Sequence, residues 1–222
     1  MSATSPLAEF DLDRIAHACY SAVVSDVCDQ LGMRHQTASP GLARLAGAAP
    51  VLVGWVRTAS SVAVDRAPER PYGAEIDFID SLSTGDVVVA HVGAEAAFWG
   101  ELFSAAAMNR GTRGAVVDGL IRDQSRIDEL DFPVWARGAQ PADSLGRISL
   151  LRADQPLQVA GVEVASGDLV IADRDGVVFV PRARVAEVVP LAIAKAGTES
   201  QAKQLLRTGV TLAQAWETFH VL

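Results

Sequence analysis

The chain has 222 residues, 50% of them hydrophobic and 21% charged, with 18 Gly and 10 Pro. This is ordinary globular usage and excludes a disordered chain, a collagen-like repeat and a long coiled coil. The formal charge of −8, from 19 Lys+Arg against 27 Asp+Glu, argues against a nucleic-acid partner, because phosphate binding depends on clustered cations.

The first twenty residues, MSATSPLAEFDLDRIAHACY, carry no basic stretch followed by an apolar block, so no secretory leader is expected. No uninterrupted apolar run reaches about 18 residues, so no membrane span is expected either. Two cysteines, Cys19 and Cys28, suit a reducing compartment, and the expectation is a cytoplasmic protein. Apolar residues recur at helical steps from Leu12 through Ile15, Cys19, Val23 and Val27 to Leu31, which predicts one helix over 9–31. On that helix the two thiols would face opposite sides.

A Gly/Pro/Ser-containing connection over 37–50 leads to VLVGWVRTASSVAV, one bent strand or two, with Gly54 a candidate bulge. RAPERPYG is a loop and AEIDFIDSL a helix. TGDVVVAHV is a buried strand, WGELFSAAAMNRG a helix closed by Gly111, and GAVVDG a strand. RDQSRIDELDF is a short helix and PVWARG a strand. This alternation predicts parallel pairing. LQVAGVEVASGDLVIADRDGVVFVP then reads as a three-stranded antiparallel meander, followed by a long helix kinked near Pro190 and a terminal helix at TLAQAWETF. The expected whole is a single α/β domain over 1–222, parallel in one part and antiparallel in the other.

Several chemistries lack their residues. His17, His35, His91 and His220 show no zinc spacing, and no nucleophile elbow, phosphate loop or dinucleotide fingerprint occurs. No lysine stands at an apolar strand end to form a Schiff base. Two segments remain. Gly100 opens a helix whose first N–H groups, at Gly100, Glu101, Leu102 and Phe103, form a ready anion site. Arg122-Asp123 follow the strand ending in Asp118-Gly119, at the carboxyl edge where ligands gather in α/β layers. Brought together, these groups could hold a small carboxylate and a hard divalent cation. Taken alone, Arg122-Asp123 reads as a helix cap with a surface ion pair. Trp55, Trp99, Trp135 and Trp216 read as core or subunit-contact residues. Asp173 and Asp175 read as turn carboxylates, and Arg137 as a weak candidate near the crevice.

WGELFSAAAMNRGTRGAVVDGLIRD, IDELDFPVWARG and GDLVIADRDGVVFVP, between Val87 and Pro181, resemble one family. It contains regulator of ribonuclease activity A and the 4-hydroxy-4-methyl-2-oxoglutarate / 4-carboxy-4-hydroxy-2-oxoadipate aldolases. The resemblance implies a swivelling β/β/α fold and homotrimers, sometimes paired into hexamers, with sites between subunits. It implies that Gly100 to Phe103 bind the substrate carboxylate, Arg122 contacts the oxo acid and Asp123 holds Mg²⁺ or Mn²⁺. Glu101 would reach the metal through water, and Glu199 would be offered by a neighbouring subunit. The implied reaction is retro-aldol cleavage of a 4-hydroxy-2-oxo acid, or oxaloacetate decarboxylation, through a pyruvate enolate stabilised by the cation and Arg122.

The sequence departs from the family pattern twice. Arg126 stands where the aldolases carry an acid, and could weaken metal binding or recognise a second carboxylate. His91 ends its strand where they show an acidic or glycine-rich loop, and reads as a substrate-contacting acid/base or a plain strand-end histidine. The expected function is therefore a metal-dependent lyase. The alternatives are a non-catalytic protein-binding regulator and an enzyme retuned to another oxo or hydroxy acid.

Overall fold

The computed structural model describes residues 10–221; the N-terminal reading over 1–9 falls outside them. The expected first helix is two. In α1 (Leu12–Ala18) the Asp11 side chain caps the N–H groups of Asp13 and Arg14. Extended backbone at Cys19 and Tyr20 then leads into α2 (Ser21–Gln30). A carboxylate distant in sequence fixes the restart: Asp173 accepts the Ser21 N–H at 2.7 Å and its hydroxyl at 2.6 Å, and so caps α2. The apolar pattern runs through the break because both helices bury one side in the same cluster, with Ile15, Cys19, Val23, Val27 and Cys28 together. The cysteines therefore do not face opposite surroundings. Both are free thiols, and burial pushes each up to about 11.

After β1 (Ala43–Ala46), the β-branched run is one strand, β2 (Leu52–Ala63). Its irregularity lies at Ser60/Ser61, not at Gly54. Gly54 instead permits a close approach, since a Cβ there would lie 2.5 Å from Val87 Cγ2 and 2.8 Å from the Gly85 carbonyl oxygen. The central alternation is α3 (Gly73–Asp80), β3 (Asp86–Val92), β4 (Ala97–Trp99), α4 (Glu101–Asn109), β5 (Gly114–Ile121), α5 (Gln124–Glu129) and β6 (Val134–Ala139). Then come β7 (Ile148–Ala153), β8 (Leu157–Val159), β9 (Val162–Val164), β10 (Leu169–Ala172) and β11 (Val177–Val180), followed by α6 (Val185–Leu206), which contains Pro190, and α7 (Leu212–Phe219).

One sheet runs β1-β6-β5-β3-β2-β10-β11, with β4 beside β5 and β7 beside β2. The centre, β6, β5, β3 and β2, is parallel. β1, β7, β10 and β11 pair antiparallel. The mixed α/β architecture is thus as expected, with two corrections. β4 and β7 carry no sequence signal strong enough to anticipate them. The expected three-stranded meander is four strands, of which β8 and β9 form a separate hairpin.

Alternation along the strands divides the core. Val88, Ala90 and Val117 face the layer holding α3, α4 and α5, with Phe78, Phe98 and Trp99. Val87, Val89 and Val116 face the β8–β9 hairpin, with Trp135 and Phe179. No helix among the described residues is long and apolar enough to cross a membrane.

Candidate active site

Short β4 carries the chain along the end of β5, pairing Ala97 with Leu120 and Trp99 with Ile121. The Arg122 N–H then donates to the Trp99 carbonyl at 2.9 Å, which sets Gly100 directly against Arg122 and Asp123. Glycine allows this close approach: a Cβ on residue 100 would lie 2.8 Å from Asp123 Oδ2 and 3.2 Å from Arg122 Cγ and would displace those side chains. The floor is rigid. Trp99 stacks on Phe132 at 6.2 Å and meets Phe103 edge-on at 5.7 Å. Its indole N–H donates to Ser104 Oγ at 2.8 Å, and that hydroxyl donates to the Gly100 carbonyl at 3.0 Å. Ser104 is fully buried, so the start of α4 is pinned to the core.

Asp123 precedes α5 but does not cap it. Its backbone is left-handed, φ +61°, and no side-chain bond reaches its own helix. Asp and Asn adopt this conformation more readily than other non-glycine residues. The turn sends the carboxylate across to α4, where Oδ2 accepts the Glu101 N–H at 3.3 Å and lies 3.5 Å from Arg122 Nε. The N–H groups of Leu102 and Phe103, also in the first turn of α4, have no partner within the helix.

These groups line a cleft of about 520 Å³. Tyr72 and Asp143 complete it, and the sequence does not announce either. Arg122 reaches Asp143 at 3.2 Å, and the Tyr72 hydroxyl donates to the other oxygen of the same carboxylate. Burial opposes ionisation of Asp143, but the bond from Tyr72, the charge of Arg122 and the N–H groups of Ser144 and Leu145 hold its carboxyl below its usual range. The Tyr72 phenol is pushed up, first by its bond to Asp143 and then by burial. Neither residue lies in a periodic pattern. Tyr72 ends the proline loop, and Asp143 sits in a connection tied to β4 by the Ala97 N–H bond to Ala142. A tyrosine in left-handed backbone at a helix entry, φ +56°, is visible only once the chain is folded.

Arg122, Asp123, Gly100, Glu101, Leu102 and Phe103 therefore meet at one cleft. Four other candidates, Arg126, His91, Arg137 and Glu199, lie outside the cleft lining of this chain. Arg126 is exposed, pairs with Glu129 at 3.1 Å and does not line the cleft of its own chain. His91 lies on the opposite sheet face from the cleft. Its Nδ1 is 3.5 Å from Asp118 Oδ2, and Arg137 binds the other Asp118 oxygen at 2.6 Å. Neither His91 nor Arg137 lines the cleft. Glu199 lies on α6, bonded to the Tyr20 hydroxyl and 2.9 Å from Lys195 Nζ, away from the cleft of its own chain. Asp173, read as a turn carboxylate, does bind the turn N–H of Asp175 but also caps α2, as described above.

Among the described residues no group of three or more His, Cys, Asp or Glu could enclose a metal ion. That does not fit a closed all-protein cage. It fits a small hard cation, which commonly binds one or two carboxylates and completes its shell with water and substrate oxygens. Asp123 and Glu101, both in the cleft lining, are carboxylates that could contribute to such a shell.

The RraA-like family profile (Aldolase/RraA) matches residues 21–179. Protein DlpA of Legionella pneumophila is 28% identical over 207 residues, covering 90% of this chain and 32% of that protein. A putative 4-hydroxy-4-methyl-2-oxoglutarate aldolase of Halalkalibacterium halodurans is 30% identical over 140 residues, covering 60% of this chain and 64% of the relative. The chain thus spans less than two thirds of the length of these curated relatives. Among solved structures, RraAS2 of Streptomyces coelicolor, described as an unusual member of the RNase ES inhibitor RraA protein family, superposes with a TM-score of 0.73. It shares 28% identity, over 91% of this chain and 98% of that one.

Proposed function

The chain belongs to the RraA-like family, and on that premise we propose that it is a divalent-metal-dependent lyase of a small 2-oxo acid. The reaction is retro-aldol cleavage of a 4-hydroxy-2-oxo acid, oxaloacetate decarboxylation, or both. The observation that carries this reading is the turn that aims Asp123 away from its own helix and into the cleft beside Arg122 and the start of α4.

The chain's residues have separate tasks. The first-turn N–H groups of Leu102 and Phe103 bind the C1 carboxylate. Asp123 holds Mg²⁺ or Mn²⁺, which when bound supplies a Lewis acid for the C2 oxygen. Arg122 orients the oxo group and donates to the same oxygen as charge develops. Losing one such preorganised donor typically raises a barrier by about 2.7–4 kcal/mol. In the cleavage direction the C4 hydroxyl gives its proton to a water or side-chain base, the C3–C4 bond breaks, and C4 leaves as the carbonyl carbon of the second product. The bond's electron pair passes toward the C2 oxygen, and the pyruvate enolate so formed is protonated at C3. The test is pyruvate release from a 4-hydroxy-2-oxo acid and from oxaloacetate, with Mg²⁺ and with chelator. Metal-stimulated turnover of either is expected; none with both would overturn the reading.

The proposed assembly is a homotrimer, alone or paired into a hexamer. Leu102 at 78% exposure, and Leu212 and Trp216 on α7 at 55% and 45%, offer apolar surface that a neighbouring subunit would cover. Glu199 could then serve a cleft only as a neighbour's residue. Light scattering at micromolar concentration should give three or six chain masses, and a single chain mass would exclude it.

A second reading, a protein-binding regulator without catalysis, is favoured by the likeness to RraAS2 along nearly the whole chain. It predicts a stoichiometric protein partner whose binding survives Asp123→Ala.

A further inference from the structure

We infer that the cleft selects 2-oxo monocarboxylates with a short apolar tail over substrates bearing a second carboxylate, and that Asp143, held by Tyr72, is the discriminating residue. The inference rests on the lyase reading above and adds the substrate class, with oxaloacetate, itself a dicarboxylate, as the poorer of the two substrates named there.

It follows from charge at the cleft. Arg122 is the single cation among the described residues that line it, against the carboxylates of Asp80, Glu101, Asp123 and Asp143. Asp80 is neutralised by Arg110 from outside the lining, at 3.0 Å. The oxo-acid head of any substrate already requires Arg122, the metal and the α4 N–H groups. No guanidinium or ammonium of this chain's cleft is left for a distal carboxylate. Arg122 is in addition engaged by Asp143 on one nitrogen, and Tyr72 anchors Asp143 from the other side. A distal carboxylate would have to displace a fixed anion or lie beside it, and like charges in a partly desolvated site repel strongly. The rest of the wall suits a hydrocarbon, with Ile76, Ile79, Phe98 and Phe103 along it. Asp143 also keeps the Arg122 guanidinium oriented, so it both excludes a second anion and positions the first contact.

The experiment compares kcat/KM for 4-hydroxy-2-oxopentanoate and 4-hydroxy-4-methyl-2-oxoglutarate in the Mg²⁺-loaded protein, for the parent chain, Asp143→Asn and Tyr72→Phe. A preference of at least about tenfold for the monocarboxylate is expected in the parent, narrowing to within about threefold in Asp143→Asn, chiefly through KM for the dicarboxylate. Tyr72→Phe, which keeps the ring but frees the carboxylate, should give an intermediate ratio. Calorimetric binding of 2-oxobutanoate and 2-oxoglutarate, neither of which has a C4 hydroxyl to cleave, gives the same comparison without turnover. Turnover with equal or reversed preference would overturn the inference and leave the lyase reading standing. Absence of turnover with both acids would defeat the retro-aldol form of the lyase reading, and the binding ratio would then decide the charge argument. A preference unchanged in both variants would remove Asp143 from the role.

Discussion

The Asp123 carboxylate serves a neighbouring helix and not its own: its Oδ2 accepts the Glu101 N–H at 3.3 Å, while the helix that Asp123 introduces has no side-chain cap. An aspartate at a helix entry ordinarily stabilises that helix. Here the left-handed backbone turns it into the cleft, where a cation can reach it.

Asp123→Asn should therefore separate function from folding. Asparagine tolerates the same backbone and can still accept the Glu101 N–H, but it lacks the charge that holds a hard cation. Metal-stimulated pyruvate release should fall by roughly a hundredfold or more, on the scale of losing a key electrostatic group, while the urea midpoint moves little. Equal activity in the variant would exclude Asp123 as the metal ligand.

Gly100→Ala tests the close approach. The residue's φ of −160° is open to alanine, so the backbone is not strained. The added methyl would instead press on Asp123 Oδ2 at 2.8 Å. Displacing that group by a few tenths of an ångström should cost about tenfold or more in kcat with a near-native melting temperature. An unaffected kcat would mean that the corner is more forgiving than its packing implies.

Asp173→Ala tests the distant cap. The substitution strands the Ser21 N–H and hydroxyl in a buried position, which typically costs about 1–3 kcal/mol. Urea denaturation should show this loss at neutral pH, without change in metal affinity, because Asp173 and the cleft line different parts of the sheet.

Asp118→Asn should show a pH signature. Burial opposes ionisation of Asp118, but the N–H of Ala160, the Arg137 guanidinium and His91 outweigh it and hold the carboxyl below its usual range. A lowered folded value adds stability above the unfolded value, near 3.8, and that stability is lost as pH falls through the folded value. The variant should therefore be less stable than the parent at pH 7, with the gap closing toward pH 3. A gap independent of pH would show that packing, not charge, sets the contribution.

The legible and illegible parts of the molecule divide along local and non-local physics. Strand–helix alternation is written in apolar periodicity, so β3, β5, β6 and the helices between them are readable. Gly100, Arg122 and Asp123 are readable because each stands where a parallel strand gives way to a helix. Asp173, by contrast, caps a helix 152 residues away, and nothing near Ser21 signals the interruption. The apolar pattern even conceals it, since both helices bury the same side. Tyr72 and Asp143 are 71 residues apart in two connections without periodicity, and the Asp143 segment reaches the cleft through its bridge to Ala97 of β4. His91 and Arg126 lie outside the cleft lining for a simpler reason. Proximity in sequence to the site does not fix the direction of a side chain, and a strand sends His91 to the far face while a helix turns Arg126 outward.

The bond from the Arg122 N–H to the Trp99 carbonyl has a consequence for how such a protein can diverge. It makes the corner at Gly100, Arg122 and Asp123 an extension of the sheet, inherited with the architecture, whereas Tyr72 and Asp143 arrive on separate connecting segments. A descendant can exchange those two side chains and acquire a different appetite while its corner stays intact. Relatives with the same corner and different residues at these two positions should accordingly be sorted by diet, not by chemistry.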